Sequence, residues 1–378
     1  MNLSIDGRGI TLYNGSGIGT YIANLLKELI TIDNKNEYTI FWAGDNYDAF
    51  KKSNTNIVLT SKRHGMFYEN FYYPNYLQSN NIDLHHIPQN GIGLSKDYPV
   101  PCVVTIHDLI PYTLPETCGK GYLTRFLKDM PYIIENSKGI LTVSEYSKRD
   151  ILKFFPSFPE DKIFVTPLAA NSSFYPMEKD ICNSFLKEKY NIDFPFILYI
   201  GGFSSRKNVK ELILSFNDIY SSLKKKYKLV LCGSIKDEGE KLKEFCKGLR
   251  LENNVIFIGF VPDEDLPFFY NGCSLFVYPS LYEGFGLPPL EAMSCKAPVI
   301  TSNLTSIPEV TKDCALLIDP FNKDELSNSI LKVLNSSSLS EELSEKGYSN
   351  SKNFTWTKTA ELTLQAYESI YKSLNNNI

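Results

Sequence analysis

The sequence predicts an α/β protein built of two doubly wound domains. Short apolar runs alternate with helical patterns along nearly the whole chain, and the alternation repeats as a second block in the second half. Alternating strand and helix units imply parallel sheets covered on both faces. In such sheets the ligand cleft lies at the carboxyl ends of the strands, where these sequences place glycine-rich loops.

In the first block the runs YTIFWAG, NIVLT, DLHHIP, CVVTIHD, GILTVS and KIFVTP read as strands. The stretch GTYIANLLKELITI carries apolar residues at helical spacing and reads as an amphipathic helix. In the second block FILYIGG, KLVLCGS, NVIFIGF, SLFVYPS, PVITS and ALLID are the strands. The polar, turn-rich segment Ala169–Asn183 is expected to be the linker. This gives a first domain of residues 1–175 and a second of residues 184–355. A closing helix over 356–378 is expected to leave the second domain and join the first. No repeat of solenoid length is present.

The bulk numbers narrow the function. The chain has 378 residues, 43% hydrophobic and 22% charged, ordinary for a soluble protein with room for two domains. A formal net charge of -4 argues against nucleic-acid binding, which favours a basic face. Eight scattered cysteines without a CxxC pair, behind a start that is not a signal peptide, predict reduced thiols and a cytoplasmic protein. No apolar run approaches the roughly 20 residues of a membrane span, and a peripheral membrane contact stays open.

Three loops carry candidate chemistry. The first, YNGSGIGT, puts Gly15, Gly17 and Gly19 before a helix; a tight strand-to-helix turn explains it equally well. In the second, Gly201-Gly202 ends a buried strand and Arg206-Lys207 follow just before a helix. Guanidinium grips phosphate oxygens as a fork and ammonium as a point charge, so this pair suits a diphosphate; a solvated basic turn is the plainer alternative. The third, YPSLYEGFGLPPLEAM, sets Glu283 and Glu291 eight residues apart around Gly284-Phe285-Gly286-Leu287. Glycines allow close backbone approach, and a helix N-terminus favours an anion. Two carboxylates beside it suit a ligand with hydroxyls at one end and phosphate in the middle; a Gly-Pro turn with two solvated glutamates is the plainer alternative.

Taken together, GSGIGTY, VVTIHDLIP, ILTVSEYSKRDI, GGFSSRKN, YPSLYEGFGLPPLEAM and FTWTKTAELTLQAY resemble the retaining nucleotide-sugar glycosyltransferases of family 4, with the GT-B architecture of two Rossmann-like domains facing a central cleft. The resemblance spans nearly the whole chain. It implies that Glu291 holds the donor ribose and that Glu283 lies near the transferred sugar. Arg206 and Lys207 clamp the diphosphate. Gly17 and Gly19 lie close to the diphosphate and acceptor, and His107 lies near the donor sugar, with a satisfied structural histidine after a buried strand as its alternative. Gly202 and the loop Gly284, Phe285, Gly286 and Leu287 line the donor. Many members carry a proline before the arginine, where this chain has Ser205.

The resemblance therefore implies a retaining hexosyltransferase, with mannose the first sugar and GDP-mannose the first donor to test. The acceptor it implies is a growing bacterial surface polysaccharide or glycolipid precursor. Another GT-B sugar-nucleotide enzyme (an epimerase or sucrose-type synthase) and a non-catalytic sugar-binding protein are the alternatives. No cofactor or metal is expected. Asp263-Glu264-Asp265 resembles the Asp-x-Asp pattern of metal-dependent transferases but reads more simply as a helix start with Asp263 as its cap. His85-His86 read as structural. The aromatic stretch Ser61–Gln78 reads as a packed helix face, with an acceptor groove or membrane contact as its alternatives.

Overall fold

The computed structural model describes residues 1–13, 15–61, 63–94 and 98–375. The chain divides into two compact units, Met1–Leu168 with Thr355–Ile378, and Ala169–Phe354.

Among the described residues, the first unit holds seven strands: β1 (Asn2–Asp6), β2 (Glu37–Ala43), β3 (Thr55–Thr60), β4 (Leu84–Ile87), β5 (Cys102–Ile106), β6 (Gly139–Thr142) and β7 (Ile163–Val165). They form one parallel sheet in the order β3-β2-β1-β4-β5-β6-β7. The chain reverses its direction of growth between β1 and β4, which makes the carboxyl ends of those strands the natural crevice. Strand β1, NLSID, was absent from the expected strands: at five residues with polar Asn2, Ser4 and Asp6 it gives only a weak apolar signal. Ser4 and Asp6 are nonetheless buried, because every face of this central strand is covered.

The second unit holds six: β8 (Phe196–Ile200), β9 (Lys228–Cys232), β10 (Val255–Gly259), β11 (Leu275–Tyr278), β12 (Val299–Ser302) and β13 (Leu316–Ile318). Their order is β10-β9-β8-β11-β12-β13, again all parallel, with the switch between β8 and β11. The central strands β8 and β11 are buried along their whole length, which is why they read as unbroken apolar runs.

The expected linker is not a linker. Residues 169–183 belong to the second unit. Phe174 packs in its core against Tyr270, Met177 N donates to Asn271 Oδ1 at 2.8 Å, and a helix begins at Lys179. Turn-rich composition reported irregular backbone correctly but not its attachment. The division instead falls between Leu168 and Ala169.

The closing helix, Trp356–Asn375, belongs to the first unit; residues 376–378 lie outside the described residues. Its buried stripe includes Ala360, Ala366, Tyr367 and Ile370. Tyr367 OH hydrogen-bonds His86 Nδ1 at 2.6 Å, while His86 Nε2 meets Thr105 Oγ1 at 2.7 Å. His85 Nδ1 meets Ser4 Oγ. Burial pushes the two imidazoles down to about 4 and about 3, so both are neutral structural residues.

The aromatic stretch is only half packed. Tyr73 and Leu77, on the helix Tyr73–Ser79, are fully buried, and Tyr73 stacks on Phe41 at 4.1 Å. Met66, Phe67 and Phe71 are exposed. Lys62 lies outside the described residues.

Candidate active site

The second unit brings three of the expected residues onto one atom. Arg206 and Lys207 lie on a 3₁₀ turn after β8, and Glu283 lies on the loop after β11, so the switch point of the sheet joins segments far apart in sequence. The loops are tied by backbone, Leu281 N donating to Arg206 O at 2.8 Å. Glu283 Oε1 then accepts from Arg206 Nη1 at 2.9 Å, Lys207 Nζ at 2.7 Å and Tyr278 OH at 3.0 Å, and also from Ser280 Oγ. Arg206 Nη1 also donates to Tyr282 O at 2.6 Å, which aims the guanidinium. Burial acts to raise the Glu283 carboxyl, but the Lys207 and Arg206 charges with the Lys207 and Ser280 hydrogen bonds outweigh it and hold it below its ordinary value. Glu283 is therefore an ionised carboxylate and not a general acid.

The glycine loop is pinned from the other side. Ser306 Oγ lies 2.8 Å from both Glu283 O and Phe285 O, with its one proton shared between the two carbonyls, and Glu283 N donates to Thr305 Oγ1 at 3.1 Å. Gly286 caps the helix Leu287–Ser294 at φ 113°, and a Cβ there would stand 2.7 Å from Ile307 Cδ1, so only glycine fits. Pro288 and Pro289 have no N–H, so this helix start offers an anion fewer amides than an ordinary first turn. Phe285 is buried against Phe354 and Leu287 is half-buried.

Glu291 lies about one turn into that helix, apart from the cluster. Its Oε2 accepts from Tyr270 OH at 2.9 Å. Burial pushes its carboxyl up to about 7; the Tyr270 hydrogen bond opposes this and the Asp263 charge adds to it. Tyr270, Phe276, Tyr278 and Tyr199 form a row of rings beneath both glutamates, with successive centroids 5.2, 6.0 and 5.8 Å apart. Gly202 closes β8: its carbonyl accepts from Tyr199 OH at 2.6 Å, and a Cβ on it would meet no atom within 4 Å.

In the first unit, Gly17 and Gly19 are not on a loop. They occupy the first turn of the helix Gly17–Ile32, whose cap Ser16 accepts from Gly19 N at 3.3 Å. Tyr21 of this helix meets the His107 ring edge-on at 4.8 Å, so the glycines and His107 share one neighbourhood. His107 Nε2 lies 2.9 Å from Pro88 O. A carbonyl only accepts, so Nε2 carries the proton and Nδ1 is the acceptor. Burial pushes the imidazole down to about 4, against the Pro88 hydrogen bond, so the ring is neutral near pH 7.

Asp263 is not the helix cap. The helix runs Leu266–Gly272 and Asp265 holds the cap position. Asp265 is buried, with Oδ2 accepting from Lys189 Nζ at 2.6 Å and from Tyr190 OH. Among the described residues no three His, Cys, Asp or Glu side chains are grouped to hold a metal.

Sequence reasoning missed Tyr270, Tyr278, Ser280, Thr305 and Ser306. Tyr278 and Ser280 lie inside the quoted motif, yet a hydroxyl in a strand carries no pattern of its own. It also missed Asp6 and Arg8, at the end of β1. Arg8 Nε and Nη2 grip Asp6 Oδ1 and Oδ2 at 2.8 and 2.6 Å, Gln89 Nε2 adds a bond to Asp6 Oδ2 at 2.6 Å, and Arg8 Nη1 reaches Glu69 Oε1 at 3.2 Å.

Two parallel-sheet units, each with charged groups at the carboxyl end of its switch point, form an arrangement shared by many α/β ligand-binding proteins. Comparison with known proteins specifies which. The profile of Glycosyl transferases group 1 matches residues 183–350, and that of Glycosyltransferase Family 4 matches residues 15–173. The O-antigen chain mannosyltransferase B of Escherichia coli is 37% identical over 267 residues, 70% of each chain. Among solved structures, a sucrose-phosphate synthase from Thermosynechococcus elongatus superposes with TM-score 0.77 at 19% identity, covering 99% of this chain and 100% of that one. Anabaena HepE in complex with UDP and glucose superposes with TM-score 0.76 at 16% identity, covering 97% and 99%. The chain belongs to the group 1, family 4 glycosyltransferases.

Proposed function

We propose that this glycosyltransferase moves a mannosyl group from a nucleoside diphosphate mannose, GDP-mannose first, to a hydroxyl of a growing surface polysaccharide or its lipid-linked precursor. The observation that carries the reading is the convergence of Arg206 Nη1 and Lys207 Nζ on Glu283 Oε1 at the switch point. Fixed cations at that crevice suit a leaving diphosphate. The choice of sugar and acceptor draws on the 37% identity to an O-antigen mannosyltransferase.

In this reading the acceptor oxygen bonds to the anomeric carbon as the carbon–oxygen bond to phosphate breaks, on the same face. The acceptor proton passes to the departing phosphate oxygen, whose charge Arg206 and Lys207 offset. Glu283 stays ionised and accepts from sugar hydroxyls. Glu291 accepts from the ribose. Neutral His107 accepts from the sugar through Nδ1 and contributes no positive charge. Retention follows from same-face attack, and two cations at the diphosphate remove the need for a metal. No helix among the described residues is long and apolar enough to cross a membrane. In this reading the reaction runs on the cytoplasmic side, with any membrane contact peripheral.

The test is release of nucleoside diphosphate from a panel of GDP-, UDP- and ADP-sugars with a mannoside acceptor, followed by NMR of the first-formed product. GDP-mannose should turn over, with the anomer retained and most of the rate kept in excess chelator. Turnover of another donor alone overturns the sugar assignment. An inverted product overturns the mechanism, and rescue by magnesium after chelation overturns the cationic clamp.

A further inference from the structure

We propose that Tyr278 is a positioning residue for the diphosphate clamp: its phenol hydroxyl holds the Lys207 ammonium and the Glu283 carboxylate in one fixed geometry. The proposal rests on reading Arg206 and Lys207 as that clamp.

Tyr278 is the last residue of β11, in the centre of the second sheet, and its side chain is fully buried. Its ring lies nearly parallel to those of Tyr199 and Phe276, at 14° and 16°, so it has little room to turn. The ring brings one hydroxyl to the crevice. That hydroxyl donates to Glu283 Oε1 at 3.0 Å and accepts from Lys207 Nζ. A phenol has one proton and lone pairs to accept with, and this arrangement uses both functions. The Lys207 ammonium also stands 5.0 Å from the centroid of the same ring, where the negative face of the π system attracts it.

The physical need is clear from the side chains involved. Lysine is a point charge on a flexible four-carbon stem, and holding its head in one place costs rotamer entropy. A transition state gains most from charges that are already in position. Arg206 is aimed by its planar fork and the Tyr282 carbonyl. Lys207 has no such fork, and Tyr278 and Glu283 are among the contacts that aim its head. Tyr278 is not an acid or base in this role. Burial first, then the charge of Glu283 and the neighbouring Tyr199, push its phenol well above the ordinary value, so the proton stays on.

Tyr278→Phe removes the hydroxyl and keeps the ring. Purified full-length protein would be compared as wild type, Tyr278→Phe, Lys207→Met and the double variant. The readouts are kcat and KM for the donor, thermal melting, and affinity for whichever of GDP, UDP and ADP binds wild type most tightly. Tyr278→Phe should lower kcat by about tenfold, less than the roughly 100-fold for losing a preorganised contact to the reacting atoms, with a smaller change in KM. In the Lys207→Met background, where there is no ammonium to position, the same change should cost less than about twofold in kcat, because coupled residues are not additive. A merely structural tyrosine would cost the same factor in both backgrounds, and that outcome overturns the proposal. So does a Tyr278→Phe enzyme with wild-type kcat beside a Lys207→Met enzyme that has lost nucleotide affinity. Wild-type nucleotide affinity in Lys207→Met overturns the clamp reading itself, and the proposal with it.

Discussion

Each unit places a buried charge cluster at the switch point of its sheet, and the two are built with opposite excess. In the first, one guanidinium meets two carboxylates: Arg8 forks onto Asp6, Gln89 supports Asp6, and Glu69 takes the remaining contact. Arg8 is 4% exposed and Asp6 2%, so this pair is closed over by the protein, while Glu69 at its edge is 19% exposed. In the second, two cations converge on one carboxylate oxygen, with Arg206 16% and Lys207 13% exposed. The same kind of place in the same kind of sheet thus carries a sealed ion pair once and a solvent-reaching cationic cluster once. A sealed pair serves the fold, because breaking it leaves a buried charge uncompensated. A cationic cluster that reaches solvent can also meet an anionic ligand.

The sharpest way to break this comparison is to remove one cation from each cluster. Arg8→Met should cost about 3–5 kcal/mol of stability, as for a broken buried pair, and leave nucleotide affinity of the folded protein near wild type. Arg206→Ala should do the reverse, lowering turnover by roughly 100-fold or more with a smaller loss of stability. Chemical denaturation and steady-state rates of the two variants decide it. Equal loss of stability in both would mean that the second cluster, too, serves mainly the fold.

A second prediction uses pH. Folding raises the Glu291 carboxyl from an ordinary 4.5 to about 7. Its contribution to stability is therefore full below about pH 4.5 and is lost as pH rises through about 7. Ribose hydroxyls donate hydrogen bonds and favour the ionised form, so affinity should run the other way. Wild type should gain about tenfold in nucleoside diphosphate affinity between pH 6 and pH 8 relative to Glu291→Gln, a comparison that cancels titration of the phosphate itself. Parallel pH curves for the two proteins would remove Glu291 from the ribose site. The smallest effect is expected at Gly202, where an added Cβ meets nothing of the protein within 4 Å. Gly202→Ala should melt like wild type and weaken the nucleotide a few-fold by crowding it; unchanged affinity would place the ligand away from β8.

Much of the architecture was legible because its signals are local. Unbroken apolar runs marked the central strands β8 and β11, and the 3.6-residue period marked the helix that begins at Gly17. Asn2–Asp6 escaped because a short strand with alternate polar residues looks like a surface segment until its neighbours bury it. Residues 169–183 looked like a linker because composition reports turns but not what Phe174 packs against. Asp265, not Asp263, stands at the helix start, and its carboxylate serves Lys189 and Tyr190, more than seventy residues earlier, in place of the helix amides.

The sequence by itself determined the alternation of strands and helices, the glycines at the strand ends, and the charged residues Arg206, Lys207, Glu283 and Glu291 beside them, because each is written within a few neighbouring residues. Only the tertiary structure decided that Arg206 and Lys207 share one oxygen of Glu283, that Tyr278 and Tyr270 stand beneath the two glutamates, and that Glu283 is held ionised while Glu291 is pushed up to about 7. The reason is physical. A carboxyl's protonation follows from how deeply it is buried and which charges and donors reach it, and those partners come from strands and loops brought together across 70 or more residues for the Arg206 and Lys207 contacts.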